Sequence, residues 1–221
     1  DPTCILVMCD IFSGFCMAEV QVTKEAPETL SNLKILTSDF IRNSSDEDGG
    51  ALSTEGTQLY ALRNLWCDNS AQDGAGLQAN GDSEDWATLN NNRFVENAAS
   101  NRGGGLRIRQ QNANIVNNTF VGNSAIQGAG AHFASAPVFY FQNNLVSWNP
   151  AGDGVYVNPT ESDVAVDHSS SFTYNAWYEN VTEHAYASSG TLTLGSTNIF
   201  EHPLLSAYSN DGNCDNDELW Q

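Results

Sequence analysis

Apolar and polar residues recur along the middle of the chain with a period of 26 to 28 residues. Each period has an alternating apolar segment, a large apolar residue with an asparagine three places later, and then a glycine-rich pair or triplet. A period of 20 to 50 residues indicates a solenoid. The five apolar residue/asparagine pairs are Phe40/Asn43, Trp66/Asn69, Phe94/Asn97, Phe120/Asn123 and Val146/Asn149, with Phe172/Asn175 as a weaker sixth.

Each period contains short strands. Apolar residues alternate before each asparagine, as in Leu33/Ile35 and Ala113/Ile115, and further asparagines such as Asn117-Asn118 follow. Alternation bounded by Asn and Gly is typical of strands and turns. No segment has an apolar 3.6-residue period of helical length, so helical repeats fit poorly. The sequence therefore predicts an all-β chain in which each period is one coil of a parallel β-helix.

Stacked coils place equivalent residues about 4.8 Å apart. Asparagine gains most from this stacking, because it tolerates a left-handed turn and its amide can bond the amides above and below. We therefore expect one structural column of side chains, with the large apolar residues forming a matching interior stack. The predicted column is Asn43, Asn69, Asn97, Asn123, Asn149 and Asn175.

The same register extends towards both ends. Ile5/Val7 and Phe12 lie 28 residues before Leu33/Ile35 and Phe40, and Val164/Val166 with Phe172 lie 28 before Leu192/Leu194 with Phe200. About eight coils follow, in a rod of roughly 38 Å. We expect residues 1–221 to form a single domain. Since the chain starts without Met and inside a coil, we interpret it as a processed or truncated part of a longer exported protein.

The pairing of F-x-x-N with glycine-rich triplets resembles the repeat of the chlamydial polymorphic outer-membrane proteins. The coil architecture is similar to the wider pectin-lyase-like superfamily, so the resemblance implies a right-handed parallel β-helix. The segment from Asn198 to Leu205 resembles the one with which many bacterial β-helix domains end their last regular coil. A resemblance of this kind specifies the fold strongly and the function weakly.

Composition indicates an exported protein. The chain has 8 Lys and Arg residues against 27 Asp and Glu residues, a formal charge of −19. Such a chain repels phosphate backbones and anionic membranes, so we expect no nucleic-acid partner. No apolar run is long enough for a membrane span. The predicted location is extracellular or at the cell surface.

Five cysteines give an odd count. Cys4, Cys9 and Cys16 lie close together, and two of them could staple the N-terminal end of the solenoid in an oxidising compartment. Cys67 and Cys214 stand alone, and Cys67 is equally well explained as a small buried apolar residue. A zinc site is not expected, because no second Cys or His pair follows at ligand spacing.

Acidic residues cluster in loops, including Asp46–Asp48 and Asp82–Asp85. Asp211, Asp215 and Asp217 have the alternating Asp/Asn spacing, with a glycine, that calcium loops often use. The pattern is not an EF-hand. Calcium is the one cofactor that the sequence suggests, with a solvated acidic loop as the alternative.

The strand after each glycine cluster offers one candidate binding surface. If Leu106 and Ile108 point inward, Arg107 points outward, and the equivalent residues stack into a stripe with Arg109 beside it. Such a stripe suits sugar hydroxyls or carboxylates, but ordinary surface is the alternative. The predicted stripe is Gln78, Arg107, His132 and Tyr156.

Catalytic signatures are missing. The stripe itself contains no carboxylate pair for glycoside hydrolysis. A lyase would need carboxylates near Arg107 and Arg109, where we expect only the amides Gln110, Gln111 and Asn112. His168, His184 and His202 lack a nucleophile motif, so we expect surface or coil-end histidines. The sequence favours a non-catalytic structural or adhesin-like module whose partners are surface glycans or proteins. The alternatives are a filament subunit that binds other copies of itself end to end, and a carbohydrate-binding or lyase-like β-helix.

Overall fold

The computed structural model describes residues 32–158 and 167–203 in full, and the backbone of two strands before them. The fold is an all-β parallel solenoid, as the repeat predicts. Helical structure in the described residues consists of one 3₁₀ turn, Ser169–Ser171. None of the described residues belongs to a helix long and apolar enough to cross a membrane.

Three six-stranded parallel sheets form the walls of the solenoid, and each coil contributes one strand to each. The first sheet contains β3 (Asn32–Leu36), β6 (Gln58–Leu62), β10 (Trp86–Asn90), β14 (Asn112–Val116), β17 (Phe139–Gln142) and β20 (Phe172–Thr173). The second contains β4 (Asp39–Ile41), β7 (Leu65–Cys67), β11 (Arg93–Val95), β15 (Thr119–Val121), β18 (Leu145–Ser147) and β21 (Ala176–Tyr178). The third contains β5 (Leu52–Glu55), β9 (Leu77–Asn80), β13 (Leu106–Arg109), β16 (Ala131–Ala134), β19 (Val155–Asn158) and β22 (Ala185–Ala187). A short pair, β8 (Ser70–Asp73) and β12 (Ala98–Arg102), lies between the second and third sheets in the chain.

The described solenoid has about six coils, so the prediction of eight is wrong. β1 (Thr3–Cys9) and β2 (Cys16–Thr23) form an antiparallel hairpin, with Ile5 opposite Gln21 and Val7 opposite Glu19. The error has a physical cause: two-residue alternation is the same in a hairpin strand and in a solenoid strand. Six coils span roughly 29 Å at about 4.8 Å each.

The interior is a continuous apolar stack. Ring centroids lie 4.2 Å apart between Phe40 and Trp66, 5.8 Å between Trp66 and Phe94, and 4.9 Å between Phe94 and Phe120, all nearly parallel. The next strand contributes Val146, as predicted. These side chains are almost completely buried, and their stacking adds to the stability that burial alone provides.

The last described coils depart from the predicted register. Trp177, not Phe172, pairs with Val146 in the second sheet, and Phe172 pairs with Phe141 in the first. Phe200 lies in the row after Trp177, since Ile199 is bridged to Ala176. The coil that follows Asn149 is longer than the earlier ones, since the asparagine stacked on Asn149 is Asn180, 31 residues later. A fixed period of 26 to 28 residues therefore assigned Phe172 and Asn175 to the wrong sheet position.

Two asparagine ladders run along the solenoid, one at each end of the second sheet. In the predicted ladder, the side-chain nitrogen of Asn43, Asn69, Asn97 and Asn149 donates to the next side-chain oxygen, as from Asn69 Nδ2 to Asn97 Oδ1 at 2.8 Å. At Asn123 the backbone N–H donates to Asn149 Oδ1 instead, at 2.9 Å. Its sixth member is Asn180, which accepts from Asn149 at 2.6 Å. Asn175 belongs to the second ladder, so its predicted place was wrong. That ladder contains Asn64, Asn92, Asn118, Asn144, Asn175 and Asn198.

At every ladder corner except that of Asn198, the left-handed residue is the one before the asparagine. Asp68 has φ of 52° and Glu96 has φ of 54°, and they precede Asn69 and Asn97. The expectation of a left-handed asparagine is therefore wrong for the ladder members themselves. It is confirmed for Asn91, Asn117 and Asn143, which precede members of the second ladder. The preceding residue makes the bend, and this leaves the asparagine side chain directed along the ladder.

Candidate functional site

The predicted stripe exists in the predicted register. Gln78, Arg107, His132 and Tyr156 are successive partners on the third sheet, and the row continues to Tyr186. The residues expected to point inward on these strands are buried. Arg109 lies at the end of β13 and is exposed.

The stripe is not open to solvent along most of its length. Gln78 is 3% exposed, Arg107 5% and His132 0%, whereas Tyr156 is partly exposed. The expectation of an accessible row of donors is therefore wrong for its first three members.

A glycine corner explains this burial. The left-handed Gly103, with φ of 64°, sits so close to the stripe that a Cβ added there would lie 2.9 Å from the Cβ of Arg107. Gly74 has the same relation to Gln78, at 2.8 Å. Because glycine lacks a Cβ, the chain before the corner folds back against the stripe. The residues before these glycines form a second column, which we call the corner column: Asp48, Asp73, Arg102 and Gln127.

Corner column and stripe are joined by an ion-pair network. Arg107 Nη1 lies 2.9 Å from Asp73 Oδ2 and 3.8 Å from Asp48 Oδ1. Arg102 Nη1 lies 3.9 Å from the same Asp73 oxygen. Gln78 completes the network, since its Nε2 donates to Asp48 at 2.7 Å and its Oε1 accepts from Arg107 at 2.8 Å. Two carboxylates and two guanidinium groups therefore balance in charge.

The expectation that no carboxylate lies near Arg107 is wrong. Asp48 was predicted to belong to a solvated acidic loop, and Asp73 and Arg102 were missed. A sequence signal for them exists, because each immediately precedes the first glycine of its cluster. Burial lowers the pKa of Arg107, and Asp73 and Asp48 oppose that effect. The guanidinium is thus engaged inside the protein and poorly placed for a substrate.

His132 is buried and neutral. Burial lowers its pKa to about 3, with further contributions from Arg107 and Arg102. Neither ring nitrogen has a hydrogen-bond partner among the described residues. Its ring stacks on Tyr156, with centroids 5.4 Å apart, and Tyr156 lies 5.2 Å from Tyr186. The histidine acts here as one layer of an aromatic stack, and it lacks the access that a general base requires.

Asp153 and His184, near the last described coils, also have shifted pKa values. Burial and the neighbouring Glu183 raise the pKa of Asp153, and burial lowers that of His184, whose Nδ1 lies 3.2 Å from Asn180 Nδ2. His184 also lines a cavity of about 420 Å³ with Leu192, Leu194 and Phe200 among its walls. Sequence reasoning missed Asp153, although it lies between two repeat glycines.

The remaining predictions concern one histidine, the calcium ligands and Cys67. His168 is 7% exposed and stacks on Phe139 with a centroid distance of 5.9 Å, so the expectation of a surface position is wrong there. Asp211, Asp215 and Asp217, the predicted calcium ligands, lie outside the described residues. Cys67 is fully buried and disulfide-bonded, which corrects its interpretation as a lone cysteine.

Comparison with protein-family models, with curated proteins and with solved structures found no match for this chain.

Proposed function

We propose that this chain is a non-catalytic extracellular or cell-surface module, structural or adhesin-like, in which the stacked coils form a rigid scaffold. The observation that carries the proposal is the closure of the stripe. Arg107 and His132 are the stripe residues best suited to chemistry. One is held by Asp73 at 2.9 Å and the other is fully buried, so neither can approach a polymer outside the protein.

The disulfide at Cys67 supports the proposed location. Disulfides form and persist in oxidising compartments and are rare in the cytosol. The formal charge of −19 also fits a protein that stays soluble outside the cell. We further propose that the repeat is related to that of the polymorphic outer-membrane proteins and to pectin-lyase-like, right-handed β-helices, a relation that rests on the repeated F-x-x-N and glycine pattern.

Incubation with uronic-acid polysaccharides tests the absence of catalysis. We expect no release of unsaturated or reducing ends, by absorbance and reducing-sugar assays. Product release that is lost in Arg107→Lys and kept in Arg109→Lys would overturn the proposal in favour of a lyase. Arg109 is a matched control because it lies on the same strand and is exposed.

The same incubation tests a carbohydrate-binding alternative. This alternative is favoured by the aromatic end of the stripe, where Tyr186 is 39% exposed beside Tyr156. Retention on a polymer without turnover, lost in Tyr186→Ala, would identify a binding module at that end.

Cell fractionation tests the location. Protease treatment of intact producing cells should remove the protein while a cytoplasmic marker survives. Protection equal to that of the marker would contradict an extracellular or cell-surface role.

A filament subunit is the second candidate, and the last described coil favours it. Ile199 and Phe200 are each about half exposed there, and Phe200 also lines the cavity of about 420 Å³. Large exposed apolar residues on the last described coil suit end-to-end contact with another copy. Light scattering should then rise with concentration, and Phe200→Asp should abolish the rise. Ile126→Asp is the control, since Ile126 is also exposed but lies in a middle coil.

A further inference from the structure

Three asparagines of the chain begin the motif Asn-x-Ser/Thr, with x other than proline, which accepts an N-linked glycan in exported proteins. They are Asn43, Asn117 and Asn180. The motif alone does not distinguish between them, because it depends on two residues and not on the fold. The structure places them in two different environments.

Asn43 and Asn180 are members of the predicted asparagine ladder. Asn43 Nδ2 donates to Asn69 Oδ1 at 2.9 Å. Asn180 is 8% exposed, and its Nδ2 donates to the carbonyl oxygen of Val146 at 3.0 Å. A glycan would be attached to this same nitrogen, so it would replace one of its hydrogens and bring a bulky, hydrated group into a closely packed corner. Modification of either residue therefore opposes formation of the ladder.

Asn117 lies outside both ladders. It is exposed and has φ of 57° at the corner between β14 and β15. The next residue, Asn118, takes the buried place in the second ladder. Asn117 Nδ2 donates to Asn90 Oδ1 at 3.2 Å on the protein surface. A glycan on this nitrogen extends into solvent and leaves Asn118 in the ladder.

The neighbouring coils have the same exposed edge. Asn91 and Asn143 also precede members of the second ladder, with φ of 57° and 53°, and both are exposed. Asn117 differs from them in the residue two places later, where it alone of the three has a hydroxyl. The residues at that place are Arg93, Thr119 and Leu145, which are successive partners in the second sheet.

We propose that Asn117 is an N-glycosylation acceptor and that Asn43 and Asn180 carry no glycan in the folded protein. The proposal rests on the exported location proposed above. The sugar donor is a lipid-linked oligosaccharide diphosphate. A bond forms between Asn117 Nδ2 and the first sugar carbon, the bond from that carbon to the diphosphate breaks, the amide loses one proton and the lipid diphosphate leaves.

Folding selects the site. The hydroxyl residue of the motif, Thr119, is 4% exposed in the folded chain, so its recognition precedes closure of this coil. All three motifs are then open to the transfer enzyme. Only a glycan on Asn117 is compatible with the completed ladders, so the native protein carries its glycan there.

Secretion of the full chain from a eukaryotic cell line, behind a cleavable leader, tests the proposal. An amidase that removes N-linked glycans should cause one shift in electrophoretic mobility. Peptide mapping should then find aspartate at position 117 and unmodified asparagine at positions 43 and 180. A folded, secreted protein with a glycan on either ladder residue, or with none on Asn117, would overturn the proposal. The leader imposes export, so this failure is distinct from a failure of the proposed location, which cell fractionation detects.

Two substitutions of Thr119 test the motif itself. Thr119→Ser keeps the hydroxyl and should keep the glycan, whereas Thr119→Val keeps the shape and should lose it. Equal mobility shifts in the two variants would overturn the assignment to this motif.

Two further variants test the role of the exposed edge. Leu145→Thr completes the motif at Asn143, and Arg93→Thr completes it at Asn91. Each variant should gain a second glycan, because the new acceptor has the same left-handed, exposed corner position as Asn117. The natural motifs at Asn43 and Asn180 are the matched controls on the ladder. Absence of a second glycan from both variants would overturn the argument from the edge.

Discussion

Replacing Asn97 with alanine should weaken the solenoid far more than replacing an outward asparagine of the next coil. Asn97 is fully buried, and its Oδ1 accepts from the backbone N–H of Asn69 at 3.1 Å and from Asn69 Nδ2 at 2.8 Å. Its Nδ2 donates to the carbonyl oxygen of Trp66 at 2.8 Å and to Asn123 Oδ1 at 2.9 Å. Alanine removes four hydrogen bonds at once.

The cost follows from which groups lose a partner. Asn69 Nδ2 still donates to the carbonyl oxygen of Phe40, and Asn123 Oδ1 still accepts from the backbone N–H of residue 97. The backbone N–H of Asn69 and the carbonyl of Trp66 lose these contacts inside the protein. A buried polar group without a partner costs about 1–3 kcal/mol, so we expect Asn97→Ala to lower the free energy of unfolding by roughly 3 kcal/mol.

Two measurements check this value. Guanidinium unfolding followed by tryptophan fluorescence gives the change in stability, since Trp66 and Trp177 are buried. Hydrogen exchange gives the local effect, and exchange of the Asn69 amide should accelerate roughly 100-fold, because about 1.4 kcal/mol corresponds to a factor of ten. The matched control is Asn114→Ala, an outward and partly exposed residue, which should change stability by less than about 0.5 kcal/mol. Equal losses in the two variants would refute the ladder argument.

Three further predictions concern the glycine corner, the buried histidine and the disulfide at Cys67. Gly103→Ala should lower the free energy of unfolding by about 3 kcal/mol, measured by thermal unfolding, because its φ is 64° and the new Cβ would lie 2.5 Å from a backbone oxygen. Gly56→Ala, with φ of 57° and open space around it, should cost about 1 kcal/mol. Similar costs for the two variants would contradict the close approach at Gly103. The pKa of His132 is about 3 in the folded protein and about 6.5 in the unfolded chain. Between these pH values the unfolded state binds more protons than the folded state. The free energy of unfolding should therefore fall as the pH drops from about 6.5 to about 3, by up to about 1.4 kcal/mol per pH unit. His132→Phe should remove that part of the slope, and an unchanged slope would count against a neutral histidine. Thiol titration of denatured, unreduced protein should find at most three free thiols among the five cysteines, since the disulfide at Cys67 uses two of them. Finding all five free would contradict that bond and the proposed oxidising compartment.

The repeat alone was enough to predict the parallel solenoid and most of one ladder. Phe94 and Phe120, or Asn97 and Asn123, occupy equivalent places in the period, and stacked coils must align such residues. The same argument correctly placed Arg107 beside His132. It failed at Asn175 because one longer coil shifts the register, although Trp177 and Asn180 repeat the spacing of Trp66 and Asn69. It also failed at Ile5, where alternation cannot distinguish a hairpin from a coil.

The sequence by itself therefore determined the fold class, the interior stack and the rows of partners, because these depend on spacing along the chain. Tertiary structure decided whether those rows are accessible. Arg107 points outward by its strand position, yet the left-handed glycine corner folds the preceding column against it and brings Asp73 to 2.9 Å. Cys67 also points outward and is buried and bonded. Burial of an outward side chain depends on contacts between segments far apart in the chain, and the period of the repeat does not encode such contacts.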